Sequence, residues 1–198
     1  MNDISLYELI TKNDTLIFYA KFNDELGYEI FESIKNINKI IFKNQHKGIK
    51  KNANSVFNKS VDNLPETLKT ICFGYSFNQP VDNLPFLLEW IEFGFSFNQR
   101  VDMLPNTIKY LVFGELFNQP IDDLPTSVEY LMLGQFFNQS LNNLPNSIEK
   151  LDLHSWINGI KQNTYKLPKN LNEIIIRKIK SISISHDFVN ELNKHINT

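Results

Sequence analysis

Four histidines and one cysteine are the residues of this chain best suited to bind a metal or act as a nucleophile: His46, His154, His186, His195 and Cys72. None of the histidines has metal-ligand spacing with another His or with the cysteine. Nothing in the sequence pattern brings a histidine to Cys72. Asp62, Asp82, Asp102 and Asp122 recur at intervals of twenty residues, and Asn142 continues the series. A column of carboxylates could hold cations. An Asp just ahead of a Leu-Pro pair more simply accepts hydrogen bonds from turn N–H groups, and the Gly-rich calcium-repeat pattern is absent. There is no phosphate loop and no nucleophile elbow. The expectation is a protein that is no enzyme and that needs no metal and no cofactor.

The residues that remain suit contact rather than reaction. Trp90, Tyr110 and Tyr130 are also twenty apart, and Glu92, Val112 and Met132 follow them at a distance of two. Aromatic side chains with a polar handle are enriched at binding hot spots. Whether these six stand together on one surface depends on the elements that carry them.

Those elements come from an internal repeat. The skeleton F-N-Q-x-[VIL]-[DN]-x-L-P-x-x-x-x-x-[IL]-x-[FL]-[GH] recurs at Phe57, Phe77, Phe97, Phe117 and Phe137, with Lys in the Gln slot of the first copy. A unit of twenty residues cannot bury its own core, so its copies must stack into a solenoid. Aligned on Pro65, Pro85, Pro105, Pro125 and Pro145, the copies place Ile71, Ile91, Leu111, Leu131 and Leu151 six residues on. Phe73, Phe93, Phe113, Leu133 and Leu153 follow at eight. Period two predicts a strand with these residues inward. Stacked strands then form a parallel sheet, and Trp90, Tyr110 and Tyr130 line its outward, concave face. Thr70, Lys150, Cys72 and Asp152 share that outward face. Aromatic neighbours on adjacent strands also stabilise one another, so the row could stack, bind, or do both.

Other columns read as structure. Phe77, Phe97, Phe117 and Phe137 predict a second apolar spine, and Asn78, Asn98, Asn118 and Asn138 a ladder that satisfies backbone groups outside the sheet. Lys69, Glu89, Lys109, Glu129 and Glu149 suggest ion pairs between adjacent strands. Gly74, Gly94, Gly114 and Gly134 mark a backbone bend that could use positive φ; His154 in the fifth copy means either that the position does not need it or that the last turn differs.

The domain divides into residues 1–56, an N-terminal cap with one or two degenerate repeats and a basic insertion; 57–156, five regular repeats; and 157–198, a degenerate last repeat and a helical cap. Leu16, Phe18, Phe22 and Asn23 keep the spacing of one degenerate turn, and Ile37, Ile40 and Phe42 that of another. About eleven inserted residues, with Lys43, Lys47, Lys50 and Lys51, precede Phe57. Short helices are predicted over residues 3–11, with Asp3 as cap, and over Asp24–Asn36. At the other end Leu167, Pro168, Leu171, Ile174 and Ile176 restore the pattern. Residues 181–185 alternate as a last strand, and Asp187 caps a helix running to Asn197.

Composition narrows the partners. The formal net charge of −2 gives no electrostatic case for nucleic acid or an anionic membrane. No apolar run approaches the ~20 residues of a membrane span, and no secretory signal is visible. One cysteine allows no internal disulfide, which fits a reducing, cytoplasmic setting. A protein partner and a monomeric chain are expected.

The recurrence of Phe-Asn, Leu-Pro and the Phe-Gly strand end resembles the FNIP repeat, a leucine-rich-repeat relative of social amoebae and large DNA viruses. The resemblance covers about 57–156. It implies a leucine-rich-repeat-like solenoid with a concave parallel sheet, irregular convex turns and short helical caps at both ends. It also implies a protein-interaction module, placed in host cytoplasm if the source is viral. Members often carry an N-terminal F-box that recruits a ubiquitin ligase. Residues 1–45 lack the Leu-Pro opening of an F-box and are short for one. The alternative to a recognition module is a structural scaffold or particle component.

Overall fold

Every Leu-Pro pair leads into a tight turn. The N–H of Leu88 donates to Pro85 O at 3.2 Å, and Leu68, Ile108, Val128, Ile148 and Leu171 repeat the bond. Two residues later the chain enters a strand. The computed structural model describes residues 7–10, 14–32, 36–44, 53–154 and 167–176. Its strands are β1 (Tyr7–Ile10), β2 (Thr15–Phe18), β3 (Lys39–Phe42), β4 (Thr70–Cys72), β5 (Trp90–Glu92), β6 (Tyr110–Val112), β7 (Tyr130–Leu133), β8 (Lys150–Leu153) and β9 (Glu173–Ile176). They form one sheet in sequence order, with β2 to β9 all parallel. The architecture is a leucine-rich-repeat-like solenoid. Among the described residues no helix is long and apolar enough to cross a membrane.

The register is the repeat itself: Trp90 opposes Tyr110, Ile91 opposes Leu111 and Glu92 opposes Val112. The inward residues Ile71, Ile91, Leu111, Leu131 and Leu151 are fully buried. Behind them the rings of Phe57, Phe77, Phe97, Phe117 and Phe137 stack with centroids 6.0 to 6.1 Å apart. Phe73, Phe93 and Phe113 slot against this spine at 3.7 to 3.8 Å. Each buried ring contributes on the order of 1.5–3 kcal/mol.

The asparagines close the turn opposite the sheet. Asn58 accepts the backbone N–H of Asn78 on its Oδ1 at 2.9 Å, and Asn78, Asn98 and Asn118 do the same for Asn98, Asn118 and Asn138. The ladder begins in the degenerate part, where Asn23 Oδ1 accepts the Asn58 N–H at 3.0 Å.

Of the two readings of the glycines, the one without positive φ holds. None of Gly74, Gly94, Gly114 and Gly134 has φ in the left-handed region. Among described non-glycine residues only Asp14 and Asn36 do. A Cβ on Gly94 would lie 1.9 Å from Gly74 O, and one on Gly114 1.9 Å from Gly94 O. The corner is glycine because consecutive turns touch there through their backbones. His154 is accommodated because the ladder runs one residue further between β7 and β8. Leu133 opposes Leu153, and the His154 N–H donates to Leu133 O at 3.1 Å.

The N-terminal cap also departs from expectation. Tyr7–Ile10 is a strand antiparallel to β2, with Tyr7 opposite Phe18, where a helix over 3–11 was expected. The run is too short for period to separate helix from strand, and pairing with the edge of β2 decides it. Of the helix expected over Asp24–Asn36, only Tyr28–Glu32 forms among the described residues, as α1. Lys47, Lys50, Lys51, His46, His186 and His195 lie outside the described residues, as do 1–6, the strand over 181–185 and the C-terminal helix.

Candidate binding face

The outward positions of β4 to β8 carry the predicted row. Trp90 and Tyr110 stack with ring centroids 4.8 Å apart and planes at 19°. Each is 39% exposed although it stands inside a continuous sheet. Tyr130 lies 6.2 Å from Tyr110 and tilts by 36°. Its hydroxyl donates to Asp152 Oδ2 at 3.0 Å, so Tyr130 is turned toward β8 and half-buried. The accessible part of the row is therefore Trp90 and Tyr110.

Asp152 corrects the sequence reading. Strand alternation puts it on the outward face with Cys72, Glu92, Val112 and Met132, yet its side chain is fully buried. Alternation fixes which side of a sheet a residue takes, and cover from elsewhere in the chain decides whether that side meets water. Glu92 is exposed, while Val112 and Met132 are half-buried beside it.

The charges along the strand entrances are paired. Lys69 Nζ is 3.2 Å from Glu89 Oε1, and Lys109 Nζ is 3.1 Å from Glu129 Oε1. The hydrogen bond to Glu129 also holds the Lys109 ammonium above its ordinary pKa. The result is two separate pairs rather than a continuous ladder. Lys150 pairs with Glu173 at 2.7 Å, one turn further. Cys72 sits low in this surface, where burial first and the Glu92 carboxylate second push its thiol up to about 12.

Several exposed apolar residues escaped the sequence reading. Phe86 is 64% and Leu87 39% exposed at the tip of the turn that leads into β5. In the other regular copies this tip is Glu66–Thr67, Asn106–Thr107, Thr126–Ser127 and Asn146–Ser147. Those hydroxyls donate at 2.7 Å to carbonyls of the preceding turn: Thr67 to Ile37 O, Thr107 to Leu88 O, Ser127 to Ile108 O and Ser147 to Val128 O. Leu87 gives up that bond and leaves the copy that bears Trp90 with an apolar tip. Aligning the copies on their prolines would have found it. Beyond the strands, Leu116 and Phe136 are exposed on consecutive turns, and Tyr75 stacks on Phe95 at 4.6 Å.

Asp62, Asp102, Asp122 and His154 have partners within the chain. Asp62 and Asp122 accept from Asn83 and Asn143 of the following turns at 3.2 and 3.0 Å, and Asp102 pairs with Arg100. His154 Nδ1 lies 3.5 Å from Glu115 Oε2. Among the described residues no group of three or more His, Cys, Asp or Glu could hold a metal ion.

The family profile described as FNIP Repeat matches residues 57–96 and 117–155. Among solved structures the chain is similar to CroV588, described as a novel circular LRR protein, at 26% identity and a TM-score of 0.46. That similarity covers 86% of this chain and 31% of the other, so the chain spans about a third of its length. A search of curated proteins gave no match.

Proposed function

We propose, from a chain built of FNIP repeats, a non-catalytic recognition module that holds a protein partner against its concave sheet face. The observation that carries this reading is the stacked pair Trp90–Tyr110, each residue 39% exposed in the middle of the sheet. Stacking alone would be served as well by burying the pair. Large aromatics kept in water on a rigid surface lose little entropy when a partner covers them. The apolar tip Phe86–Leu87 belongs to the same repeat and extends the surface beyond the strand. Val112 and Met132 continue it toward β7. Apolar side chains left exposed together on one face support a contact there.

The test is affinity capture from the native cell with the wild-type chain and with the triple change Trp90→Ala, Tyr110→Ala and Tyr130→Ala. Circular dichroism and unfolding midpoints show whether the variant stays folded. Loss of specific partners from a folded variant supports the reading. An unchanged set of partners leaves the chain as a scaffold whose aromatic row only stacks.

A further inference from the structure

Only one side of the Trp90 ring is used by the aromatic stack. Tyr110 covers it from β6, while on β4 the residue in register is Thr70, too short to cover an indole. Glu92 stands two residues on along the same face, about 6–7 Å away at the rise of a strand. Its neighbour in register on β4 is Cys72, on the side where the ring is open.

Among the described residues no cation pairs with the Glu92 carboxylate. The residues opposite Glu92 are Cys72 and Val112. Lys69 and Lys109, at the entrances of the flanking strands, are held by Glu89 and Glu129. Glu92 is exposed and has no ion pair among the described residues. An open indole face and an unpaired carboxylate on one rigid surface suit a planar cation. The carboxylate can bind it through two parallel hydrogen bonds, and the indole face can take the apolar stem behind it.

We propose that the concave face takes an arginine side chain of its protein partner in the corner formed by Trp90, Thr70, Cys72 and Glu92. The guanidinium sits on the Glu92 carboxylate and the aliphatic stem lies along the open indole face. This assignment rests on the concave-face reading above and gives it a chemistry. Phe86 and Leu87, at the tip of the same turn, meet apolar residues next to the arginine. Lys39 stands in register with Thr70 on the far side and acts electrostatically on Cys72. It opposes an incoming cation, so it sets a limit on affinity that a substitution can remove.

The probe is the blocked peptide Gly-Leu-Gly-Arg-Gly, titrated to about 10 mM while the indole N–H resonance of Trp90 is followed by NMR. Counterparts carrying citrulline or Glu in place of Arg provide the neutral and reversed charges. The arginine peptide is expected to shift the resonance, the citrulline peptide to bind about tenfold more weakly, and the acidic peptide to leave it unmoved. Glu92→Gln is expected to weaken the arginine peptide about tenfold with an unchanged unfolding midpoint, and Lys39→Gln to strengthen it. Equal binding of the citrulline peptide, indifference to Glu92→Gln, or no shift with the arginine peptide overturns the assignment. A native partner lost by the triple alanine variant but kept by Glu92→Gln also overturns it, and leaves the concave face in place.

Discussion

The backbone N–H of Asn98 donates to the side-chain carbonyl of Asn78, one turn earlier, at 2.9 Å. Each asparagine of the column is thus an acceptor for the next turn, and the Gln that follows adds a second bond: Gln119 Nε2 reaches Asn98 Oδ1 at 3.3 Å. Asn98→Ala would leave the Asn118 N–H without its acceptor and is expected to cost about 1–3 kcal/mol. Asn98→Asp keeps the acceptor and is expected to cost less. Urea unfolding of the two variants checks the order, and equal losses would count against the ladder.

Gly114 makes a sharper demand. A Cβ there would meet Gly94 O at 1.9 Å, and that oxygen belongs to backbone that cannot swing away. Gly114→Ala is expected to lose about 3 kcal/mol through overpacking, visible as a lower thermal midpoint. A change within about 0.5 kcal/mol would show that the turns are not in backbone contact.

Leu87 offers the opposite sign. Leu87→Thr restores the hydroxyl that Thr67, Thr107, Ser127 and Ser147 use to bond the preceding turn. It is expected to stabilise the fold by about 0.5–1.5 kcal/mol and to weaken partner binding. Such an exchange of stability for contact is what a surface kept for recognition predicts.

The Cys72 thiol is pushed up to about 12 from its ordinary 9.0, by burial and by Glu92. In the folded chain it keeps its proton above pH 9, where the unfolded chain has lost its own. Folding then binds protons in that window, so this group makes stability fall as pH rises from about 9 toward 12 and has no effect below. Cys72→Ser should flatten that decline in a pH series of unfolding midpoints. Alkylation by iodoacetamide at pH 8 is expected to be slow and to quicken in Glu92→Gln.

Much of the fold was legible because a repeated unit reports each position five times. The pair Ile91 and Phe93, seen again as Leu111 and Phe113, fixes a strand and its inward side. Phe22–Asn23 betrays a turn that has lost most of its pattern, and Asn23 indeed starts the amide ladder. Contacts between turns were harder to read. Gly94 looks like a bend in one copy, and only the approach of Gly74 O shows why a side chain is excluded. Tyr7–Ile10 was misread because four residues carry no decisive period and their pairing with β2 is a tertiary fact. On the candidate face, the row Trp90–Tyr110 followed from register, whereas the burial of Asp152 and the engagement of Tyr130 depend on packing that spacing does not encode.

The central claim is that a protein partner sits on the concave sheet face. Photo-crosslinking tests it most directly, with a benzophenone amino acid placed at Val112, between Glu92 and Met132 on that face, or at Asn63 on an exposed convex turn. The account predicts a covalent adduct with the partner from position 112 and none from position 63. Adducts from position 63 alone, with both chains folded, would contradict it.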